Sequence, residues 1–293
     1  RVRIEGQQIV VPAGQKRAQH VRYAGEDIKA GSAALKKGQP VRAAELGLIA
    51  SLGIGEVSVY RPLRIAFFST GDELRSIGTP LGDGDIYDSN RYTIYGMLKR
   101  MDFDVFDLGV VRDDPAAVER AFVEAASIAD VVISSGGVSV GEADFVKQML
   151  NKLGEVLFWK IAMKPGRPLA YGKIGNAHFF GLPGNPVAVM VTFYQFVRDA
   201  LLTLSGQDPV PVLPGLKAIC TSNLKKAPGR TEFQRGILSC DSTGAWSVRA
   251  TGEQGSGILS SMSAANCFII LPTAQGNVEA GTTVEVQVIE GLV

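Results

Sequence analysis

The chain has 293 residues, of which 46% are hydrophobic and 20% are charged, and its formal net charge is +1. This composition is ordinary for a globular protein of two or three domains with ample core. A net charge near zero argues against a global field that attracts nucleic acid or an acidic membrane, so an anionic ligand would need a local basic site.

The cysteines and histidines restrict the chemistry further. Cys220, Cys240 and Cys267 are widely spaced and odd in number, which predicts neither a disulfide framework nor a zinc site. His20 and His178 have no metal-ligand partner at helical spacing, so neither a zinc site nor a Ser-His-Asp triad is expected. Chemistry here should depend on carboxylates, lysines and backbone amides.

No secretory signal and no uninterrupted apolar run of membrane-spanning length is visible in the sequence. The longest candidate, residues 187–204, is interrupted by Gln195, Arg198 and Asp199. Unpaired thiols are typical of a reducing compartment, and we expect a cytoplasmic protein. The first residue is Arg1 rather than Met, which predicts that further residues precede it in the protein.

Residues 1–62 predict part of a small β-rich domain. Strand-like runs at Gln8–Val11 and Glu56–Tyr60 flank a helical stretch at Ala43–Leu52, and Pro62 marks the next boundary.

Residues 63–207 alternate apolar strands with amphipathic helices. The predicted strands are Arg64–Ser69, Val105–Val111, Asp130–Ser134, Val156–Met163 and Pro168–Tyr171. The predicted helices are Asn90–Met101, one that begins at Asp114-Pro115, Asp144–Leu153, and one from Asn185-Pro186 to Leu204. The alternation predicts an α/β domain with a doubly wound, mostly parallel sheet. Such sheets bind ligands at the carboxyl ends of their strands.

Residues 208–293 predict a smaller all-β domain. A proline-rich linker covers residues 205–214, and short strands and turns follow Leu216. Thr283–Ile289 alternates between apolar and polar residues, as a half-buried strand does.

The loop after the first strand of the α/β domain carries Thr70, Gly71 and Glu73. Gly71 permits a sharp turn, and Thr70 with its neighbouring amides is suited to an anion, whereas Glu73 could orient a metal ion or water. An ordinary turn with solvated acids is the alternative. Further on, Asp88 or Ser89 could cap the next helix, and Asn90 could contact a ligand.

Two later strands also end in polar residues. After the second, Asp114 is explained as a helix N-cap, which leaves Asp113 as the better candidate for a metal or acid-base role. After the third, Ser135, Gly136, Gly137 and Ser139 suit a phosphate cradle of backbone amides, although the spacing matches neither a P-loop nor a Rossmann fingerprint. Asp144 opens the following helix, and capping alone would explain it.

Lys160 and Lys164 lie four residues apart, and we expect both on one strand. Residues at this spacing share one face, so both ammonium groups should point the same way, with Arg167 close behind. Two lysines on an apolar strand repel each other, and a bound oxyanion or phosphate would offset that cost. A solvated strand end is the alternative.

The residues 181–186 precede the longest helix, and Asn185 and Pro186 fit its N-cap and first position. The free amides and positive dipole end there suit an anion. Taken together, these loops predict one rim with amide cradles, lysines, arginines and acids. That combination suits a phosphorylated or oxyanionic substrate with a divalent metal.

At this point the motifs are specific. The segments 69–74 (STGDEL), 134–144 (SSGGVSVGEAD), 160–168 and 181–186 (GLPGNP) resemble the MoeA-type molybdopterin molybdenumtransferases, a family that includes the gephyrin E domain. Their order and intervals also fit, and the similarity extends over nearly the whole chain. The resemblance implies a molybdopterin-binding α/β domain flanked by β-rich domains in a homodimer. It implies a reaction in which adenylyl-molybdopterin and molybdate give molybdenum cofactor and AMP, with Mg²⁺ or a similar ion.

The resemblance also assigns roles. Residues that match positions important for activity are Asp27, Glu73, Asp113, Asp144, Lys160, Lys164 and Ser256, with Glu73, Asp113 and Asp144 as metal candidates. Pro183 and Pro186 shape the pocket, with Gly184 and Asn185 between them. Molybdate contacts are implied for Lys164, Arg235 and Ser256, and also for Arg230. Implied partners are an upstream adenylyltransferase and recipient molybdoenzymes, with no nucleic acid and no membrane.

One departure from the family is that an N-terminal Asp-Gly-(Tyr/Phe)-Ala stretch is absent here. Two alternatives remain open. The central domain alone also resembles the MogA-type adenylyltransferases, which make the adenylylated pterin. A gephyrin-like scaffold without catalysis is the other alternative, because fold does not fix function.

Overall fold

The computed structural model describes residues 2–137 and 152–289, and the chain divides into units 1–57 and 58–293. The first unit contains β1 (Arg3–Glu5), β2 (Gln8–Val10) and α1 (Ala43–Ser51), with β1 and β2 paired antiparallel. The predicted strand at Glu56–Tyr60 is wrong: these residues have no regular structure. A strand-like pattern is insufficient without a neighbouring strand to pair with.

The second unit contains the remaining elements. In chain order they are β3 (Arg64–Thr70), β4 (Leu74–Arg75), β5 (Ile86–Tyr87), α2 (Ser89–Lys99), β6 (Asp104–Val111), α3 (Pro115–Ile128), β7 (Val131–Ser135), β8 (Gly154–Lys160), β9 (Met163–Lys164), β10 (Pro168–Ile174), β11 (Ala177–Leu182), α4 (Pro186–Leu204), β12 (Gly215–Cys220), β13 (Thr231–Cys240), β14 (Trp246–Ala250), α5 (Ser260–Ser263), β15 (Cys267–Leu271) and β16 (Thr283–Val288). The predicted helix Asp144–Leu153 falls almost entirely outside the described residues.

The first sheet has the strand order β6-β3-β7-β11-β10-β8. Strands β3, β6, β7 and β11 are parallel, and β10 pairs antiparallel with both β11 and β8. The predicted α/β class and the mostly parallel sheet are therefore confirmed. Alternate side chains of β3 explain the layers, since Ile65 and Phe67 pack with α2 and α4 while Ala66 and Phe68 pack with α3.

The second sheet has the order β14-β12-β16-β15-β13-β9, and an additional pairing between β13 and β14 closes it on itself. Apart from the four-residue α5, its described elements are strands, as predicted. Its interior is apolar and includes Cys220, Leu238, Val248 and Ile269. Burial raises the pKa of the Cys267 thiol to about 12, which is typical of a structural thiol.

The predicted strand Val156–Met163 is not continuous. It ends at Lys160, where the backbone turns and the N–H of Ile161 donates to the carbonyl oxygen of Arg167 (2.8 Å). Met163 and Lys164 then form β9, which pairs with Thr231 and Glu232 of β13 in the second sheet. The local pattern favours extended backbone throughout, but the partner strand decides which sheet each half joins.

Helix α4 accounts for the longest apolar run. By length and composition it is a candidate membrane span, but 61% of its most apolar window is buried inside the protein, as in a core helix. Its first and last turns are α-helical, and Phe193–Val197 between them is π-helical. The start at Asn185-Pro186 and that of α3 at Asp114-Pro115 agree with prediction.

Candidate functional site

A cleft of about 150 Å³ lies at the carboxyl edge of the first sheet. Its described lining combines acidic, amide and hydroxyl groups and contains no lysine or arginine. The lining residues are Thr70, Gly71, Glu73, Leu74, Ile86, Tyr87, Asp88, Ser89, Asn90, Asp113, Ser135, Gly136, Gly137, Gly184 and Pro186. We call it the acidic cleft.

Close backbone contact at Gly136 forms the floor of the acidic cleft. Gly136 has φ +89°, and a Cβ atom there would lie 2.5 Å from the carbonyl oxygen of Thr70. Its N–H donates to the carbonyl oxygen of Leu182 (3.2 Å). Only glycine fits a left-handed conformation at this distance, so the loop after β7 lies directly against the ends of β3 and β11.

Asp88 and Asn90 form a buried wall of the cleft and are 1% and 9% exposed. The N–H of Arg91 donates to Asp88 Oδ1 (3.1 Å), so Asp88 is the N-cap of α2. Asn90 Nδ2 donates to Ser135 Oγ (2.9 Å) and to the carbonyl oxygen of Gly184 (2.6 Å). Asp88 Oδ2, Asn90 Oδ1 and Thr70 Oγ1 are buried and accept or donate no hydrogen bond within the described chain.

Glu73 and Asp113 are the other acidic residues in the described lining of the cleft. The Glu73 carboxylate lies over Gly71, since a Cβ atom at Gly71 would come within 2.7 Å of it. The N–H of Asp113 donates to Asp72 Oδ1 (3.2 Å) and thus joins the loops that follow β3 and β6. Within the described residues, no three His, Cys, Asp or Glu side chains form a metal-binding group.

A second cavity, of about 410 Å³, adjoins the acidic cleft at Gly184 and is basic. Its lining residues are Met163, Lys164, Pro165, Gly166, Arg167, Pro168, Pro183, Gly184, Asn185, Ala188, Arg230, Gln254, Gly255 and Ser256. It therefore lies between the β9–β10 turn, the start of α4 and two loops of the second sheet. We call it the basic cavity.

Lys164 lies opposite a buried carboxylate. Its Nζ is 3.3 Å from Oε1 of Glu232, whose side chain is only 5% exposed. Gln234 Nε2 donates to the other carboxylate oxygen (3.2 Å), which holds Glu232 in place. Since Lys164 is itself about half-exposed, its ammonium group is directed by Glu232 yet remains accessible from the cavity.

The prediction that Lys160 and Lys164 share one strand face is wrong. Lys160 is the exposed last residue of β8 in the first sheet and lines neither cavity, whereas Lys164 belongs to β9 in the second. The turn between them removes the two-residue periodicity on which the argument depended.

Arg235 is 1% exposed and lies behind the basic cavity rather than in its lining. Its guanidinium donates to Ser261 Oγ (2.9 Å) and to the carbonyl oxygens of Gly255 (2.9 Å) and Glu253 (3.3 Å). Burial lowers the pKa of its guanidinium to about 10. Arg235 therefore holds the loop that carries Ser256, and direct ligand contact by Arg235 stays a prediction.

The remaining predicted residues divide in three ways. Those that line one or both cavities are Thr70, Gly71, Glu73, Ser89, Asn90, Asp113, Ser135, Gly136, Gly137, Lys164, Pro183, Gly184, Asn185, Pro186, Arg230 and Ser256. Asp27 belongs to the unit 1–57, and Ser139 and Asp144 lie outside the described residues.

Sequence reasoning missed Glu232 as a partner of Lys164 and Asp88 as a residue facing the cleft. Asp88 was already explained as a possible N-cap of α2, so no further role was expected for it. Glu232 was missed because no local sequence pattern indicates that residue 232 pairs with residue 164.

Three family models match successive parts of the chain. Residues 2–53 match the MoeA N-terminal region (domain I and II), residues 66–203 match a probable molybdopterin binding domain, and residues 217–289 match the MoeA C-terminal region (domain IV).

Relatives and solved structures agree with these models. The chain is 50% identical over 269 residues to a molybdopterin molybdenumtransferase of Haemophilus influenzae, covering 92% of this chain and 67% of the relative. It is 36% identical to molybdopterin molybdenumtransferase 2 of Mycobacterium tuberculosis, with coverages of 91% and 66%. A molybdopterin biosynthesis MoeA protein structure from Pyrococcus horikosii superimposes with TM-score 0.79 at 28% identity, covering 98% and 70% of the two chains. The chain thus spans about two thirds of the length of these curated relatives.

Proposed function

The chain belongs to the MoeA-type molybdopterin molybdenumtransferases, and we therefore propose that the protein inserts molybdate into adenylyl-molybdopterin. The products are molybdenum cofactor and AMP. The protein would thereby act as a transferase in molybdenum cofactor biosynthesis.

The observation that carries the proposal is the junction of two cavities of opposite character at Gly184. The reaction needs a pterin and a phosphoanhydride next to a small tetrahedral dianion. Water solvates such a dianion well, so the protein must supply charge and several donors in a confined space. Lys164, Arg230 and Ser256 line the basic cavity and are suited to hold molybdate there.

In this proposal Glu232 directs Lys164 toward the oxyanion, and Arg235 fixes the loop of Ser256. Arg167 adds a further cation that lines the same cavity. The amides of the loop at Gly136 and Gly137 border the acidic cleft, and they are suited to phosphate oxygens of the substrate. Asp27, Ser139, Asp144 and Lys160 keep their proposed roles by family resemblance alone.

Mg²⁺ or a similar divalent ion is part of the proposal. Magnesium in phosphate-handling sites is commonly held by one or two carboxylates together with substrate phosphates, so a complete protein cage is not required. Glu73 and Asp113 line the same cleft and fit such a minimal donor set. Once bound, the ion would neutralise charge on the phosphoanhydride.

We also propose a cytoplasmic homodimer that receives its substrate from an adenylyltransferase and delivers cofactor to molybdoenzymes. Neither nucleic acid nor a membrane is needed in this scheme, in agreement with the net charge of +1.

The test is a product assay with the purified protein, adenylyl-molybdopterin and Mg²⁺. AMP release that depends on molybdate is the expected result. Adenylylation of molybdopterin from ATP would instead favour the MogA-type reaction. Binding of a receptor peptide independent of pterin and molybdate, without either reaction, would favour a scaffold.

A further inference from the structure

Within the described chain, two buried hydrogen-bond acceptors in the wall of the acidic cleft beside α2 have no donor. Asp88 Oδ2 and Asn90 Oδ1 are both in this state, although their residues are at least nine-tenths buried. Leaving such groups unpaired is unfavourable, so water or a ligand group that donates hydrogen bonds is expected there.

The orientation of Asn90 is fixed by its partners. A carbonyl oxygen can only accept, so the group facing Gly184 O must be the Nδ2 amide (2.6 Å). The free atom is therefore Oδ1, an acceptor. Asp88 is fixed likewise, because Oδ1 caps α2 by accepting from the N–H of Arg91 (3.1 Å), which leaves Oδ2 of this cleft-lining residue without a partner in the described chain.

Phosphate and molybdate oxygens cannot satisfy these atoms, since both are acceptors and carry negative charge. The described lining of the cleft contains no lysine or arginine beside the Asp88 carboxylate, which disfavours an anion at this wall further. The ligand edge that matches two acceptors is a pair of neighbouring N–H donors. The pyrimidine half of a pterin has such an edge, formed by its exocyclic amino group and the adjacent ring N–H. Adenine instead presents its amino group beside a ring nitrogen that accepts.

We propose that Asp88 Oδ2 and Asn90 Oδ1 recognise this donor edge of the pterin. The inference rests on the proposed function, which supplies a pterin as substrate, and it adds Asp88 as a specificity-determining residue. The pterin ring then binds against the start of α2, and the charged parts of the substrate lie toward the amides at Gly136 and the basic cavity.

The experiment compares pterin with lumazine, in which an oxo group replaces the amino group. Fluorescence titration of the full chain should give wild-type binding about tenfold tighter for pterin, the value of one hydrogen bond to a charged group. Asp88→Asn retains a good N-cap, but its amide oxygen must face Arg91, so an N–H₂ donor replaces Oδ2. We expect this variant to lose most of its pterin affinity and to invert the preference toward lumazine.

Asp88→Ser is the second variant, since serine also caps helices well but has no atom at the Oδ2 position. It should remove the preference without inverting it. Asp114→Asn is the matched control: Asp114 caps α3 in the same way, with Oδ2 accepting from the N–H of Ala117 (2.8 Å), but does not line the cleft. Its pterin and lumazine affinities should equal those of wild type, and circular dichroism checks the folding of each variant.

Equal losses of both pteridines in Asp88→Asn, or an unchanged pterin preference, would overturn the assignment. So would a loss of AMP affinity with pterin binding intact, because the wall would then recognise the adenylate. If the pteridine preference follows the variants as expected but molybdate releases no AMP, the proposed reaction fails and the pterin assignment stands.

Discussion

Replacing Lys164 by alanine should weaken molybdate binding more than pterin binding. The ammonium group of Lys164 lines the basic cavity and is directed there by Glu232 at 3.3 Å. A charge-assisted hydrogen bond is worth about 1.5–3 kcal/mol. Because the Lys164 side chain is 48% exposed, water screens part of this interaction, and we expect the lower value. About 1.5 kcal/mol corresponds to a roughly tenfold rise in the molybdate Kd.

Truncation of Lys164 has a second effect on molybdate binding. It removes the cation that pairs with the buried Glu232 carboxylate, so this carboxylate then repels the bound molybdate dianion. The double variant Lys164→Ala/Glu232→Gln removes this repulsion and should recover part of the lost affinity. No recovery would mean that Glu232 acts only on the position of Lys164.

The assay is isothermal titration of the full chain with molybdate and, separately, with molybdopterin. Lys173→Ala is the matched control, because Lys173 is an exposed lysine of β10 in the first sheet and lines neither cavity. Its molybdate Kd should stay within about twofold of wild type, a change that corresponds to less than half a kcal/mol. An unchanged Kd in Lys164→Ala, or equal losses in the two variants, would refute the placement of molybdate.

Three further predictions concern stability, measured by urea denaturation. Asp130 accepts two hydrogen bonds from Arg61 (2.6 and 2.7 Å), which hold the pKa of its carboxyl below the usual range. The stability lost in Asp130→Asn should therefore be full at neutral pH, begin to decrease below about pH 4, where the carboxyl of the unfolded chain becomes protonated, and vanish only below the lowered pKa of the folded state; a pH-independent difference would contradict this. Gly166 has φ +89°, and a Cβ atom at this position would lie only 2.4 Å from Thr192 Oγ1. Gly166→Ala should therefore lower the free energy of unfolding by about 2 kcal/mol or more and also weaken molybdate binding. An unchanged stability would show that the loop relaxes freely. Phe122 packs edge-on against two phenylalanine rings with centroids 5.0 and 5.2 Å away, and Phe122→Ala should cost about 3–5 kcal/mol; a loss below about 1 kcal/mol would contradict this.

The sequence predicted the layers and the edge of the sheet where the cleft lies. Apolar runs such as Arg64–Ser69 and helix starts such as Asp114-Pro115 are determined by local chemistry, so they could be found without coordinates. Once strands and helices alternate, ligand-binding loops follow at the carboxyl edge. Thr70, Asp113 and Gly136 therefore came together in the structure as neighbours of one cleft.

What could not be predicted depends on pairing between distant residues. The break after Lys160 is invisible in the pattern, since the partner of Met163 is Thr231, 68 positions away. The burial of Arg235 likewise depends on the return of the loop at Gly255. Asp88 Oδ1 caps α2, and Oδ2 has no partner within the described chain, a division between the two oxygens that only coordinates can show. The sequence predicted Arg235 as a ligand contact and Asp88 only as a possible helix cap, and it could not show which atoms of either side chain are already used inside the protein.

The pairing of β9 with β13 has a consequence for how such proteins can be recombined. Two residues inserted between strands of the first sheet complete the edge of the second, so the wall of the basic cavity is built from both. A chimera that exchanged residues 215–289 with those of a relative would replace Arg230 and Ser256 but keep Lys164. In such a chimera, β9 would have to pair with the new β13 in the same register, with Met163 opposite position 231 and Lys164 opposite position 232, for Lys164 to lie beside a carboxylate. Because the two segments pair with each other, we expect residues 163–164 and 231–232 to change together among related proteins rather than independently.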